Sequence, residues 1–199
     1  VGSEMCIRDS VGTVGPAPSG QDYEEGWKYA REAGLPIVDE HSYQSSSWWF
    51  HNLDHYDHTD RKGPKVYAGE YASHHKSRAN NFEAALSEAA FLTGVERNAD
   101  VVRLATYAPL LAHVDAWQWR PDMIWFDNSR VLLTPNYYVQ QLYSRYKGTH
   151  TLRLTENGEA VKGTDGLYAS AVYDADSSRL IVKVANTASR RQEVVLQFE

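Results

Sequence analysis

Along the first three-quarters of the chain, short apolar runs alternate with longer segments of helical spacing. The stretch TVGPAPSG reads as a strand end followed by a turn. Within residues 22–33, Tyr23, Trp27 and Ala30 recur at helical spacing and Gly34 supplies a stop. Residues 35–38 (LPIV) form a short apolar strand that ends in DEHSYQ. A second helix is predicted from Ser46 or Ser47 through SWWFHNLDHYD, with a serine as N-cap. Residues 65–69 (KVYAG) predict the next strand, which ends at Glu70. The clearest helix runs from Asn81 to about Glu96, with Phe82, Ala85, Leu86, Ala89 and Leu92 along one face. Residues 100–105 predict a third strand, a long Trp-rich loop comes next, and Pro135 opens a last helix.

Strand, loop, helix repeated in this way is the pattern of βα units on a parallel sheet. Polar and aromatic residues gather where each strand ends, at His41 and Tyr43, at Glu70 and from Tyr107 onward. In a (β/α)8 barrel that edge carries the active site, and an open doubly wound sheet obeys a similar rule. The pattern alone leaves both open, although no GxGxxG or Walker motif favours a nucleotide-binding sheet. After Gly148 the period changes to two. THTLRLTENG, GLYASAVYDADSS, RLIVKVANTASR and RQEVVLQFE alternate apolar and polar residues, with turn clusters at Asn157-Gly158 and from Asp174 to Ser178. That predicts antiparallel sheet, part of a β-sandwich whose pattern is still running at Glu199.

Composition narrows the partners. A net charge of −6 with both signs interspersed argues against nucleic acid, which calls for a basic patch. No apolar run approaches the roughly 20 residues of a membrane span. The single Cys excludes an internal disulfide framework and a Cys-based zinc site. Residues 1–10 (VGSEMCIRDS) have no apolar stretch of signal-peptide type and no periodicity that joins them to residue 11 onward. They are expected to be a non-native leader, and the 199 residues a fragment of a longer chain.

Several side chains could carry chemistry. Glu70, after a strand and a small residue, is placed to attack an anomeric carbon; the bland alternative is a surface or ion-paired Glu. His41 and Tyr43, two residues apart, point the same way from an extended segment, as hydroxyl-binding or structural groups. Asp39 and Glu40 are either a second carboxylate source or strand-end hydrogen-bonding groups. His51, His55 and His58 lack the HExxH arrangement and read as a solvated face rather than a metal site. His74 and His75 could line a cleft beside Glu70. Trp117, Trp119, Arg120, Asp122 and Trp125 fall in one loop, suited to sugar stacking or to packing.

The stretches GPAPSG, IVDEHSY, KGPKVYAGEYA, NNFEAALSEAAFLTGVERNADVV, ATYAPLLAHVD, WQWRPDMIWFDN and TPNYYVQQLYS resemble glycoside hydrolase family 51, in order and over residues 12–147. The resemblance implies an α/β fold. Residues 11–147 would form the second half of a (β/α)8 TIM barrel, about strands 5 to 8, and residues 148–199 part of an antiparallel β-sandwich. It implies release of terminal α-L-arabinofuranosyl groups from arabinoxylan, arabinan and their oligosaccharides, with retention and no cofactor. Glu70 then matches the nucleophile. His41 and Tyr43 match the pair that contacts sugar and nucleophile. Trp117, Trp119 and Arg120 match a substrate-binding loop, though Arg120-Pro121-Asp122 replaces the Arg-Gln found there in some members. The family's acid/base belongs to an Asn-Glu pair that does not occur in this chain. The 199 residues alone are therefore expected to be inactive, and a homo-oligomer of the full-length enzyme remains open. Rival readings are another retaining barrel glycosidase, such as a β-xylosidase or endoglucanase, and a non-catalytic carbohydrate-binding protein.

Overall fold

The computed structural model describes residues 10–198, so the expected leader lies, save for Ser10, outside the described residues. Four parallel strands, β1 (Val11–Thr13), β2 (Ile37–Gln44), β3 (Lys65–Ser73) and β4 (Val102–Tyr107), lie side by side in chain order. They are linked by α1 (Gln21–Glu32), α2 (Ser46–His51) and α3 (Phe82–Arg97). Both β2 and β3 are longer than expected. The polar run DEHSYQ continues in the ladder as far as Gln44 opposite Ser73, so Glu70 sits within β3 and not at its end. Alternation explains the difference: the polar side chains Asp39, His41 and Tyr43 occupy one face while the backbone pairing runs on.

That face is distinct from the packed one. Val38, Val66, Ala68 and Tyr71 point to the opposite side and form a core with Trp27 of α1, Trp49 of α2 and Phe91 of α3. Trp49 meets Phe91 edge-on at 4.3 Å between centroids. Helix α4 (Pro135–Arg145) joins the same layer, since Gln140 accepts a hydrogen bond from Tyr71. All four helices therefore cover one side of the sheet. Pro135 opens α4 as expected, and Thr134 caps it.

Helix α3 buries Ala85 and Leu92 of the expected stripe, but its buried face is wider than that stripe. Phe82 is 70% exposed, while Ala84, Ser87, Glu88, Phe91 and Gly94 are buried. The helix is enclosed by β3, α2, α4 and the C-terminal sheet, so its small polar residues face in as well. At Gly94 a Cβ would overlap the Leu53 carbonyl, which sets how closely the loop after α2 approaches. Helix α2 also stops earlier than expected, at His51. Beyond it Asp57 accepts hydrogen bonds from Arg97 and Asn98, which hold the segment in turns. His51 and His55 consequently do not share a helix face. Among the described residues no group of three or more His, Cys, Asp or Glu is placed to hold a metal ion, and no helix is long and apolar enough to cross a membrane.

The Trp-rich segment is more ordered than the loop expected of it. It contains β5 (Leu111–His113), β6 (Ile124–Phe126) and β7 (Val131–Leu133), which form a small mixed sheet. Past α4, β8 (His150–Leu152), β11 (Leu167–Asp174) and β12 (Arg179–Asn186) make an antiparallel sheet, and β9 (Thr155–Glu156) and β10 (Glu159–Ala160) make a hairpin around Asn157-Gly158. This sheet docks on α3, where Glu96 accepts from Lys183 and from Ser170, both at 2.5 Å. The expected strand in RQEVVLQFE does not form. Residues 189–198 lie outside any strand and leave Val195 86% exposed, because their alternating pattern meets no partner strand among the described residues.

Two buried carboxyl groups on the helix side have opposite states. Glu40 accepts from Tyr23 (2.9 Å), Trp27 (2.9 Å) and Tyr56 (3.0 Å), with His55 at 3.6 Å. Burial alone would raise its pKa, but these partners hold it below the usual carboxylate range. Glu88 has far less support: Oε1 accepts from the Ser73 N–H at 2.8 Å, and burial pushes the carboxyl up to about 8. Replacing Glu40 with Ala strands three buried donors. It is expected to cost roughly 3–5 kcal/mol, read from urea unfolding midpoints. For Glu88 the sign is reversed. The native state keeps a proton that the unfolded chain releases above its ordinary value of 4.5. The stability it contributes is thus fully present below that value and is lost as the pH rises to about 8. Glu88→Gln is expected to flatten this fall, measured as the difference in unfolding midpoint between about pH 5 and about pH 8.

Candidate active site

The open face of the sheet owes its chemistry to one irregularity. Glu40 pairs with Ala68, but the next pair is His41 with Glu70, so Gly69 is an extra residue in β3. In a parallel ladder paired residues share a face, and an inserted residue reverses the alternation beyond it. Tyr67 lies opposite Asp39 before the bulge; Glu70 and Ala72 lie opposite His41 and Tyr43 after it. A regular strand would have turned Glu70 into the helix layer. Tyr71, moved the other way, becomes a fully buried core residue.

Around Glu70 the contacts converge on one oxygen. Tyr43 donates to Oε2 at 2.7 Å, and His41 Nδ1 lies 3.4 Å from the same atom. The side chain of Glu70 remains 43% exposed, and both contacts leave Oε1 to the open face. Burial and the neighbouring Glu70 carboxylate push the Tyr43 phenol well above its ordinary pKa, so it stays a donor. On its other side His41 Nε2 meets Asp39 Oδ2 at 2.9 Å. The Tyr43 ring stacks on His74 with centroids 5.2 Å apart. Burial and the adjacent Arg78 guanidinium press His74 down to about 4, which leaves it a neutral stacking surface and an acceptor for Arg78.

Arg78 leads to the second group of expected residues. With Asn80, Leu132 and Thr134 it lines a concavity of about 320 Å³ shared with Arg120 and Trp125. The Arg120 guanidinium lies 4.2 Å from the Trp117 ring centroid and 5.1 Å from that of Trp125. Trp119 projects outward, 66% exposed. The structure thus brings Glu70, His41 and Tyr43 into direct contact and sets Trp117 and Arg120 further out, linked through Tyr43, His74 and Arg78. Asp122, from the same segment, is buried instead. Of the two acids before His41, Glu40 belongs to the helix-side core and Asp39 to the open face. Tyr67 and Thr106, which bond to each other at 3.0 Å beside Gly69, had no signal in the sequence beyond β-strand alternation. His75 is drawn away from the site toward Glu83 at 3.6 Å.

Comparison with known proteins identifies the family. The family model described as the α-L-arabinofuranosidase C-terminal domain matches residues 47–198. An extracellular exo-α-L-arabinofuranosidase of Streptomyces chartreusis is 51% identical over 138 residues, which is 69% of this chain and 16% of that protein. α-L-Arabinofuranosidase 1 of Arabidopsis thaliana is 39% identical over 161 residues, 80% of this chain and 23% of that protein. This chain therefore spans less than a quarter of either relative's length. Among solved structures, the arabinose-bound MgGH51 α-L-arabinofuranosidase superposes with a TM-score of 0.70 at 31% identity, over 79% of this chain and 26% of that one. The Thermotoga maritima α-L-arabinofuranosidase, at 16% identity and a TM-score of 0.55, shares the fold over 88% of this chain and 42% of its own. On the family match and on these relatives, this chain belongs to the α-L-arabinofuranosidase C-terminal domain family and is a C-terminal portion of a family 51 glycoside hydrolase.

Proposed function

We propose that the full-length protein is a retaining α-L-arabinofuranosidase acting on arabinoxylan, arabinan and their oligosaccharides, with Glu70 as the nucleophile. The observation that carries this reading is the half-exposed Glu70 carboxylate whose Oε2 accepts from Tyr43 and lies 3.4 Å from His41 Nδ1, with Oε1 left to the open face. In the first step Oε1 bonds to the anomeric carbon as the glycosidic C–O bond breaks, and a second carboxyl group gives its proton to the departing oxygen. In the second step that group, now a carboxylate, takes a proton from water. The water oxygen bonds to the anomeric carbon and the ester bond to Glu70 breaks. Two inversions give net retention.

The second carboxyl must stand about 5–5.5 Å from the nucleophile. Asp39 is engaged by His41, and Glu40 lies across the sheet among its tyrosine and tryptophan donors. Neither is free to protonate a leaving group, so the acid/base belongs to another part of the full-length protein. We read residues 11–147 as the second half of a (β/α)8 barrel and residues 148–199 as part of its β-sandwich. Helices confined to one sheet face support a barrel over a doubly wound sheet, which is covered on both. Among the described residues the outer edge of β4 is unpaired, and beside it a groove of about 850 Å³ opens onto Tyr71, Leu92 and Tyr143. Both fit a sheet that continues into further strands. Trp117, Trp119 and Arg120 would form the wall against which the polysaccharide rests.

In the full-length enzyme Glu70→Gln is expected to cut turnover of an aryl α-L-arabinofuranoside by ~10³-fold or more, with binding of arabino-oligosaccharide kept. Retained turnover would overturn the assignment, and an inverted product seen by NMR of the first-formed anomer would overturn the mechanism. Faster release from a xylopyranoside than from an arabinofuranoside would point to a β-xylosidase instead. The 199 residues by themselves are expected to release no aryl alcohol above background from the same substrate.

A further inference from the structure

Asp39 takes no part in either displacement step, yet its placement is tightly specified. Its Oδ2 meets His41 Nε2 at 2.9 Å, and its Oδ1 is buried without a hydrogen-bond partner against Gly69. A Cβ at position 69 would overlap that carboxylate, so the glycine that creates the bulge also makes room for Asp39. The result is a line of three groups, Asp39, His41 and Glu70, across two neighbouring strands. Held between two carboxylates, an imidazole can donate to both only when it carries both ring protons. With a single proton it turns a bare nitrogen either to Asp39 or to Glu70 Oε2.

We propose that Asp39 is a positioning residue that fixes the His41 ring, so that Nδ1, 3.4 Å from Glu70 Oε2, presents its proton to that oxygen for the departure of Glu70 from the sugar. The inference rests on Glu70 being the nucleophile. During ester hydrolysis the C–O bond to Glu70 breaks and the electron pair returns to its carboxylate. A donor beside Oε2 stabilises the charge that develops there. During the first step the same donor slightly weakens the attack. Loss of Asp39 therefore slows the second step more than the first, and the glycosyl-enzyme accumulates.

The test is made in the full-length enzyme with an aryl arabinofuranoside whose leaving group makes the first step fast. Asp39→Asn is expected to lower kcat by about 10- to 100-fold. KM should fall with it, and a pre-steady-state burst of aryl alcohol should appear. In a His41→Ala background the same Asp39→Asn change is expected to have little further effect, whereas in a Tyr43→Phe background its cost persists. Gly69→Ala, which displaces the Asp39 carboxylate without removing it, is expected to lower kcat with the same burst. Unchanged kcat in Asp39→Asn, a loss with KM unchanged or raised and no burst, or an equal cost with and without His41 would each overturn the proposal. Should Glu70→Gln itself remain active, the nucleophile assignment fails; should Glu70→Gln be inactive while the cycle shows no coupling, only the role of Asp39 fails.

Discussion

The inserted residue at Gly69 is the constraint on which the rest of the site depends. A parallel strand of strict period two cannot present Tyr67 and Glu70 to one side and Val66 and Tyr71 to the other. With the bulge in place, both pairs are satisfied at once. The core gains a buried Tyr71 packed on Trp49 and Phe91, and the open face gains a carboxylate opposite His41. Glycine is required there for a reason of space. The position faces the Asp39 carboxylate at a distance that no side chain can share. One residue thus couples the packing of the helix layer to the composition of the polar face.

The sheet consequently has two sides with different electrostatic rules. On the helix side, polar groups persist only where partners are built in, as the tyrosine and tryptophan donors around Glu40 illustrate. Where partners are scarce the group gives up its charge, as Glu88 does. On the open side, Tyr43, His41 and Glu70 form a line of contacts that still reaches solvent. His74 extends that line as a neutral ring, since protonation would set it against Arg78. The same amino acid type therefore fills three roles within one small layer, and the environment of each Glu, not its identity, decides which.

Much of this is legible in the sequence, and the misses share a cause. Hydrophobic periodicity and punctuation locate α1, α3 and α4, and the i, i+2 spacing of His41 and Tyr43 places both side chains on one face. The boundaries of β2 and β3 escape the pattern because polar residues on an open sheet face look like the end of a strand. The buried face of α3 is wider than the stripe because enclosure by several neighbours buries Ser87 and Glu88 as readily as Ala85. The Trp-rich segment reads as a loop because three-residue strands are too short to show a period. A small residue before Glu70 suggests space left for substrate. The actual occupant of that space, Asp39, comes from a neighbouring strand, and a pairing between strands leaves no trace in local pattern.

The line from Asp39 to Glu70 also bears on the proposed reaction, in which a second carboxyl group must act as acid and then as base. A proton donor in glycoside cleavage must be free on the side of the leaving oxygen and must change protonation state within each turnover. Asp39 is committed to an imidazole, Glu40 is locked among donors that favour its charged form, and Glu88 is sealed behind the sheet. Each is held by contacts that would have to break for it to act. Of these four, Glu70 is the half-exposed one whose Oε2 is fixed by the Tyr43 hydroxyl, which suits the role proposed for it. On the proposed reading this chain supplies one half of a two-carboxylate reaction, and the β4 edge, unpaired among the described residues, fits a barrel across which catalysis is divided.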